Sequence, residues 1–260
     1  MTTKGAKACN SRHFALAIYP KKTIISLSQV NKMYLKKEFL MTFLRNHWYD
    51  LGLIPMSLTA LYLALNWGDL SVLSRLALLN FFVIWWHQFE EYRLPGGEAA
   101  ITNLAMQPSD DGPSDRYPLN QNNAMVINVL ASLIFYFLPV FFPNILWLSF
   151  APVVFGLLQF VVHAIITPKK IDNRFYSPGL GAVILGHVPI ACYWFYYTMT
   201  KGQLTLLDIV FGVVYLMLFV AGFMMKMGYG ILKSPTSPYP FPKAEFERGG
   251  YAERIRQLDN

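Results

Sequence analysis

Five side chains of this sequence could do chemistry together: His87, Glu90, Glu91, His163 and His187. His87 and Glu90 are three residues apart, and His87 and Glu91 four. On a helix both carboxylates can therefore share the histidine's face. Imidazole and carboxylate donors together suit Zn, Fe or Mn. A His-x-x-Glu pair on one helix can supply two ligands to one metal, as in carboxylate sites of bundle cores. A catalytic metal needs about three protein ligands and an open position. His87, His163, His187 and Glu91 meet that need and leave Glu90 as general base, and the two glutamates can exchange roles. Gln159 lies four residues before His163, where it can orient that histidine or touch substrate. The metal-free alternative is acid–base chemistry, because adjacent carboxylates beside histidine push each other's titrations apart.

The elements that must carry these groups are membrane helices. The 260 residues are 54% hydrophobic and only 14% charged, against about 25% charged in a soluble domain. Several apolar runs approach 20 residues, the length needed to cross a bilayer. The ten-residue alternation of a membrane β-barrel does not occur. The fold class expected is all-α, a polytopic bundle of about six transmembrane helices. The net charge of +7 does not indicate nucleic acid. Nine of the 22 Lys and Arg precede residue 48, where they act as topology signals. Cys9 and Cys192 form no motif and suggest no disulfide.

Three regions follow: a basic N-terminal extension (1–48), a helical bundle (49–230) and a Pro-rich, charged tail (231–260). Residues 1–32 show no convincing structure; the apolar stretch 13–19 is too short to span, and Met33 and Met41 are alternative starts. Residues 33–48 read as a basic amphipathic helix at the surface. Spans are expected at 51–67, 72–92, 124–142, 145–166, 180–199 and 204–225. The longest polar stretch, 93–123, is too long for an idle loop in a compact bundle and is expected to be functional or disordered. A short helix is expected at 98–106. The tail is expected to be disordered or loosely docked.

The basic residues fall on one side. With the N-terminus inside, the N-terminal cations, Lys169, Lys170, Arg174 and the tail are all cytoplasmic, so both termini face the cytoplasm of the cell (inner) membrane. The same topology puts all five candidate groups in the cytoplasmic half of the bilayer. Ionisable groups there are costly and need partners, which marks a functional site by default. The bland alternative is structural hydrogen bonding between helices. Asn123 and Asn128 can line the same cavity, although Asn near a helix start is more often a cap. Pro95-Gly96-Gly97 and Pro178-Gly179 read as turn chemistry.

His87-Gln88-Phe89-Glu90-Glu91-Tyr92, followed by Pro95-Gly96-Gly97, resembles the signature of the HXXEE-motif family of uncharacterised integral membrane proteins. His163 and the Tyr176-Ser177-Pro178-Gly179 lead into the fifth span resemble its other recurrent features. The resemblance covers about residues 45–230. It implies a polar intramembrane site, with Tyr176 among the groups around it, and no particular reaction. A looser similarity is to intramembrane peptidases of the CAAX-processing class, which pair a double Glu with later histidines. Their arginine four residues after the second Glu is replaced here by Pro95.

The function these features suggest is a membrane enzyme acting on a hydrophobic or lipid-like substrate from the bilayer, with a divalent metal as cofactor. The alternatives are a small-solute or proton-coupled transporter and a structural, partner-binding subunit. A transporter would need access to both faces, yet the outer halves of the spans lack acidic groups and histidines. Three histidines more than about 10 Å apart would end the single-site idea, because metal–ligand bonds are only about 2 Å long.

Overall fold

The computed structural model describes residues 27–173 and 175–258. The readings of residues 1–26 lie outside the described residues; 27–32, expected to be unstructured, are helical. The chain divides into two compact units, Met1–Phe43 and Leu44–Asn260. In the first, residues 27–43 are helical and Met33, Tyr34, Leu35 and Phe39 are exposed.

The helices in chain order are Leu27–Leu51 (α1), Leu53–Asn66 (α2), Val72–Tyr92 (α3), 98–106 (α4), Gln121–Phe141 (α5), Leu146–Lys170 (α6), Leu180–Thr200 (α7), Leu206–Ile231 (α8), Lys243–Phe246 (α9) and Tyr251–Leu258 (α10). No strand occurs among the described residues. Local chemistry sets the starts. Ser71 accepts the Ser74 N–H at 3.1 Å and caps α3. Asn120 with Asn123, and Thr205 with Asp208, form reciprocal capping boxes at α5 and α8. Each box satisfies backbone donors that a helix start leaves orphaned.

Five stretches among the described residues are long and apolar enough to cross a membrane: Lys32–Asn66, α5, α6, α7 and α8. The expected sixth, α3, has 21 residues but carries Arg75, Asn80, His87, Gln88, Glu90 and Glu91. Fourteen of the 21 are buried, so its polar groups face protein, and only protein could satisfy them at that depth. In contrast, α8 exposes Leu207, Phe211, Val214, Met217 and Leu218. Exposed apolar bands of this extent mark a lipid-facing surface. The protein is therefore a membrane protein built as an all-α bundle around α3.

Four of the long helices contain wide π turns: Ala131–Tyr136, Val162–Ile166, Val183–His187 and Leu218–Ile231. An extra residue per turn rotates the side chains that follow, and such bulges recur at functional sites. Three of them end at or contain Tyr136, His163 and His187. Helices α6 and α8 pack closely along 146–161 and 206–217. Further on, the 218–231 half of α8 leans on 121–130 of α5 instead, and α6 and α8 part.

One expectation, that of a disordered or loosely docked tail, needs correction. The 93–123 stretch, expected to be functional or disordered, is ordered and carries the short helix expected at 98–106. Its short helix α4 buries Ala99, Ala100 and Ile101, and the Asn103 amide donates to Ser114 O at 2.7 Å and Leu119 O at 2.8 Å. The tail is firmly docked rather than loose. Phe241, Phe246, Tyr251 and Ile255 are buried, and Phe241 N–H donates to Asp115 O at 2.8 Å. The physical reason is that four well-spaced apolar side chains outweigh the tail's Pro-rich, charged composition, since burying each contributes on the order of 2 kcal/mol.

Candidate metal centre

Helix α3 places His87, Glu90 and Glu91 in its last turns, and the chain then breaks at Pro95-Gly96-Gly97. Gly96 and Gly97 both have positive φ, 74° and 108°, a region that glycine occupies without steric cost. Arg248 Nη1 donates to Tyr92 O at 2.6 Å, so the tail caps the C-terminus of the motif helix, where a cation also suits the helix dipole.

His87, Glu91 and His163 form one buried group whose ligand atoms all lie within 4.8 Å of one another. Glu91 Oε1 stands 3.2 Å from His87 Nε2 and 3.3 Å from His163 Nε2. The His87 and His163 rings are 4.8 Å apart, centroid to centroid, and His87 and His187 are 5.7 Å apart. Both separations are well inside the 10 Å limit set by the sequence argument.

The other ring nitrogens are held from behind. His87 Nδ1 donates to Gly179 O at 3.1 Å. His187 Nδ1 donates to Asn80 Oδ1 at 2.9 Å. Ser177 Oγ donates to His163 O at 2.7 Å and can then accept from His163 Nδ1 at 3.4 Å. A proton held on Nδ1 leaves Nε2 as the lone-pair nitrogen. His87 Nε2 and His187 Nε2 are both buried without a hydrogen-bond partner. His87 Nε2 is thus near Glu91 yet not aligned to bond it.

Glu90 points elsewhere. It accepts N–H bonds from Gly181 at 3.0 Å and Ala182 at 2.8 Å, and a short hydrogen bond from the Tyr176 hydroxyl. It thereby caps the start of α7 with a carboxylate, the charge a helix N-terminus favours. It joins the two halves of the site: α3 brings the motif, and α7 brings Gly179 and His187.

Glycines make the room. A Cβ on Gly179, at φ +93°, would lie 2.7 Å from His87 Cε1 and 2.9 Å from His163 Cε1. One on Gly181 would lie 2.8 Å from Glu90 Oε1, and one on Gly156 2.9 Å from His187 Cβ. These are positions packed against the candidate site that sequence reasoning missed. In the sequence the Pro178-Gly179 pair read as a turn and as part of the family resemblance, without a contact to the histidines.

A cavity of about 260 Å³ opens beside the group. His87, Glu91 and His163 line it, with Glu98, Gln159, Asn128 and Tyr136 among the facing residues. Gln159 and Asn128 are thus at the cavity, as the sequence suggested. Asn128 also donates to Ala124 O at 2.9 Å. Asn123 and His187 are not among the lining residues. Asn123 caps α5 and donates to Pro118 O at 3.0 Å, and the His187 ring lies beside that of His87. Glu90 is absent from the lining too, and Glu98 is the second carboxylate there. Thr102 Oγ1 donates to Glu98 Oε1 at 2.7 Å. Burial, and then the Glu91 carboxylate, push the Glu98 carboxyl up to about 8.

No match to the chain was found among curated proteins or among solved structures. Residues 78–194 match the family described as "Protein of unknown function with HXXEE motif", and the chain carries that HXXEE domain, with His87-Gln88-Phe89-Glu90-Glu91 as its motif.

Proposed function

We propose that the protein is a membrane enzyme with a divalent metal held by His87, Glu91 and His163, acting on a hydrophobic or lipid-like substrate. One observation carries the reading: three buried histidines whose Nδ1 atoms are held by oxygens, two of them with Nε2 beside Glu91 Oε1 at 3.2 and 3.3 Å. Ligand atoms bonded at about 2.0–2.1 Å to a tetrahedral ion stand about 3.3–3.4 Å apart, so these contacts fit a shared ion. His187, whose Nε2 is also unpaired, stands outside that three-residue group, which leaves the ion an open position. When bound, the ion would polarise a substrate oxygen or lower the pKa of a water. Around it the chain's own residues divide the work. Glu90 holds α7 in place through Gly181 and Ala182. Glu98, facing the cavity with Thr102 on one oxygen, takes the acid–base role that the sequence suggested for Glu90. Gln159 and Asn128 contact substrate. The basic residues favour a cell-membrane location with both termini cytoplasmic.

A second reading rests on the same distances. Without an ion, Glu91 between two imidazoles is a proton relay suited to acid–base chemistry or proton-coupled transport. Elemental mass spectrometry of protein purified without chelators separates the two. Expected is near-stoichiometric Zn, Fe or Mn in the wild type and in Glu90→Gln, with loss in Glu91→Gln and His163→Ala. Full metal retention in both of the latter variants would sink the ligand assignment. Absence of metal from the wild type, even after reloading, would favour the relay.

A further inference from the structure

The metal reading leaves two polar groups of the cavity unused. Gln88 Oε1 and Tyr136 Oη are buried and have no hydrogen-bond partner, and both residues line the cavity. Both are anchored to the 121–141 helix or lie on it. The Gln88 amide donates to Ser132 Oγ at 2.9 Å and to Asn128 O at 3.0 Å, which fixes its oxygen as the free end. Ser132 precedes Tyr136 by four residues in the same π turn. Buried polar atoms are almost always paired, and an exception calls for an explanation.

Hydrogen-bond sense restricts what could pair them. Gln88 Oε1 only accepts, so it requires a donor. Tyr136 Oη can donate, and so offers a proton to an acceptor. A hydroxyl does both at one atom. A carbonyl, a carboxylate or a fully ionised phosphate only accepts and leaves the Gln88 oxygen unpaired. Charge restricts it further. No Lys or Arg is among the described residues that line the cavity, whereas Glu91 and Glu98 are. The chain's own residues thus offer an anionic head no cation and set the Glu91 carboxylate beside it, so only a bound metal could meet such a head.

The rest of the cavity suits a chain. Phe155, Phe219, Val220 and Met224 line it, and it lies where α6 and α8 part. Its lining residue Met225 is half exposed on the apolar surface of α8. A tail could therefore lie toward lipid while the head reaches Gln88 and Tyr136.

We infer that the site takes an uncharged single-chain amphiphile with a hydroxyl head, a long-chain alcohol, whose oxygen accepts from Tyr136 and whose proton is given to Gln88. The ligand class deepens the enzyme reading above and rests on it for the reaction alone. Saturable binding of radiolabelled hexadecan-1-ol and of hexadecyl phosphate to the full chain in nanodiscs, with excess unlabelled ligand as control, tests it. Expected is at least a hundredfold preference for the alcohol, and about tenfold weaker alcohol binding by Tyr136→Phe, the loss of one buried hydrogen bond. Equal or tighter phosphate binding, or full alcohol affinity in a folded Tyr136→Phe, would overturn it. If that variant fails to fold, the wild-type comparison decides alone. Metal content measured on the same samples keeps the two ideas apart. Alcohol preference in metal-free protein would end the metal reading only, and bound metal without alcohol preference would end the hydroxyl assignment only.

Discussion

Gly179→Ala is the sharpest perturbation the structure offers, because one methyl group meets two candidate ligands. The added Cβ would lie 2.7 Å from His87 Cε1 and 2.9 Å from His163 Cε1. Carbon atoms pack at about 3.5–4.0 Å, so the rings must retreat by roughly 0.6–0.8 Å or more. Metal sites tolerate about 0.2 Å in ligand distance. The same residue supplies the carbonyl that holds His87 Nδ1, and disturbing such a partner alone costs about 10–100-fold in affinity. We expect zinc affinity to fall at least about hundredfold, or about 2.7 kcal/mol. Alanine at φ +93° adds about 1–2 kcal/mol of backbone strain, felt as lower stability. Gly202→Ala separates the two effects. Gly202 also has positive φ, +62°, but nothing lies within 4 Å of its Cβ position. Competition with a chromophoric zinc chelator, run beside thermal unfolding, reads both quantities. Gly202→Ala should lose stability and keep its zinc affinity. Unchanged affinity in Gly179→Ala, or an equal affinity loss in Gly202→Ala, would refute the steric argument.

Three further outcomes follow from the same contacts. Glu90→Ala strips the acceptor from Gly181 N, Ala182 N and Tyr176; it should destabilise the fold by about 3 kcal/mol in a denaturation experiment, whereas a full-stability variant would show that the cap carries no weight. Arg248→Ala removes the donor to Tyr92 O, so hydrogen exchange over 243–258 should rise about tenfold or more, a loss of about 1.5 kcal/mol or more for a charged hydrogen bond; unchanged protection would contradict the clamp. Burial pushes the Glu245 carboxyl from 4.5 up to about 7. The fold therefore favours its protonated form, and that stabilisation is complete below about pH 4.5 and is lost as pH rises through 7. The span corresponds to at most about 3 kcal/mol. Proteolysis of the tail should accelerate between pH 5 and 8 in the wild type and show a flatter profile in Glu245→Gln; identical profiles would remove Glu245 as the cause.

The motif was legible in the sequence because its geometry is local. His87 and Glu91 are four residues apart on α3, and any helix brings them to one face. Convergence with His163 was legible at the level of depth, since helix lengths and basic residues place spans in register across a bilayer. Which face each later histidine presents was not, because the π turns at 162–166 and 183–187 rotate it, and apolar sequence carries no clear sign of such turns. The division of labour between Glu90 and Glu91 was hidden for a different reason. Adjacent helix residues point about 100° apart, so one turns to the histidines and its neighbour to the start of α7. The partners on that second side are backbone N–H groups, which have no residue signature. Gly179 was hidden in the same way. A glycine after proline reads as a turn, and only three-dimensional contact shows that its missing Cβ is the space two imidazoles occupy. The tail escaped because composition averages over a segment, while docking depends on Phe241, Phe246, Tyr251 and Ile255 falling where α4 and α5 leave apolar surface uncovered. What could not be read from the chain was thus mostly what the backbone and the absent side chains do. The site's histidines stand where they do because Gly156 and Gly179 carry no side chain there, so substitutions at these two glycines should disturb the site as directly as substitutions at the motif itself.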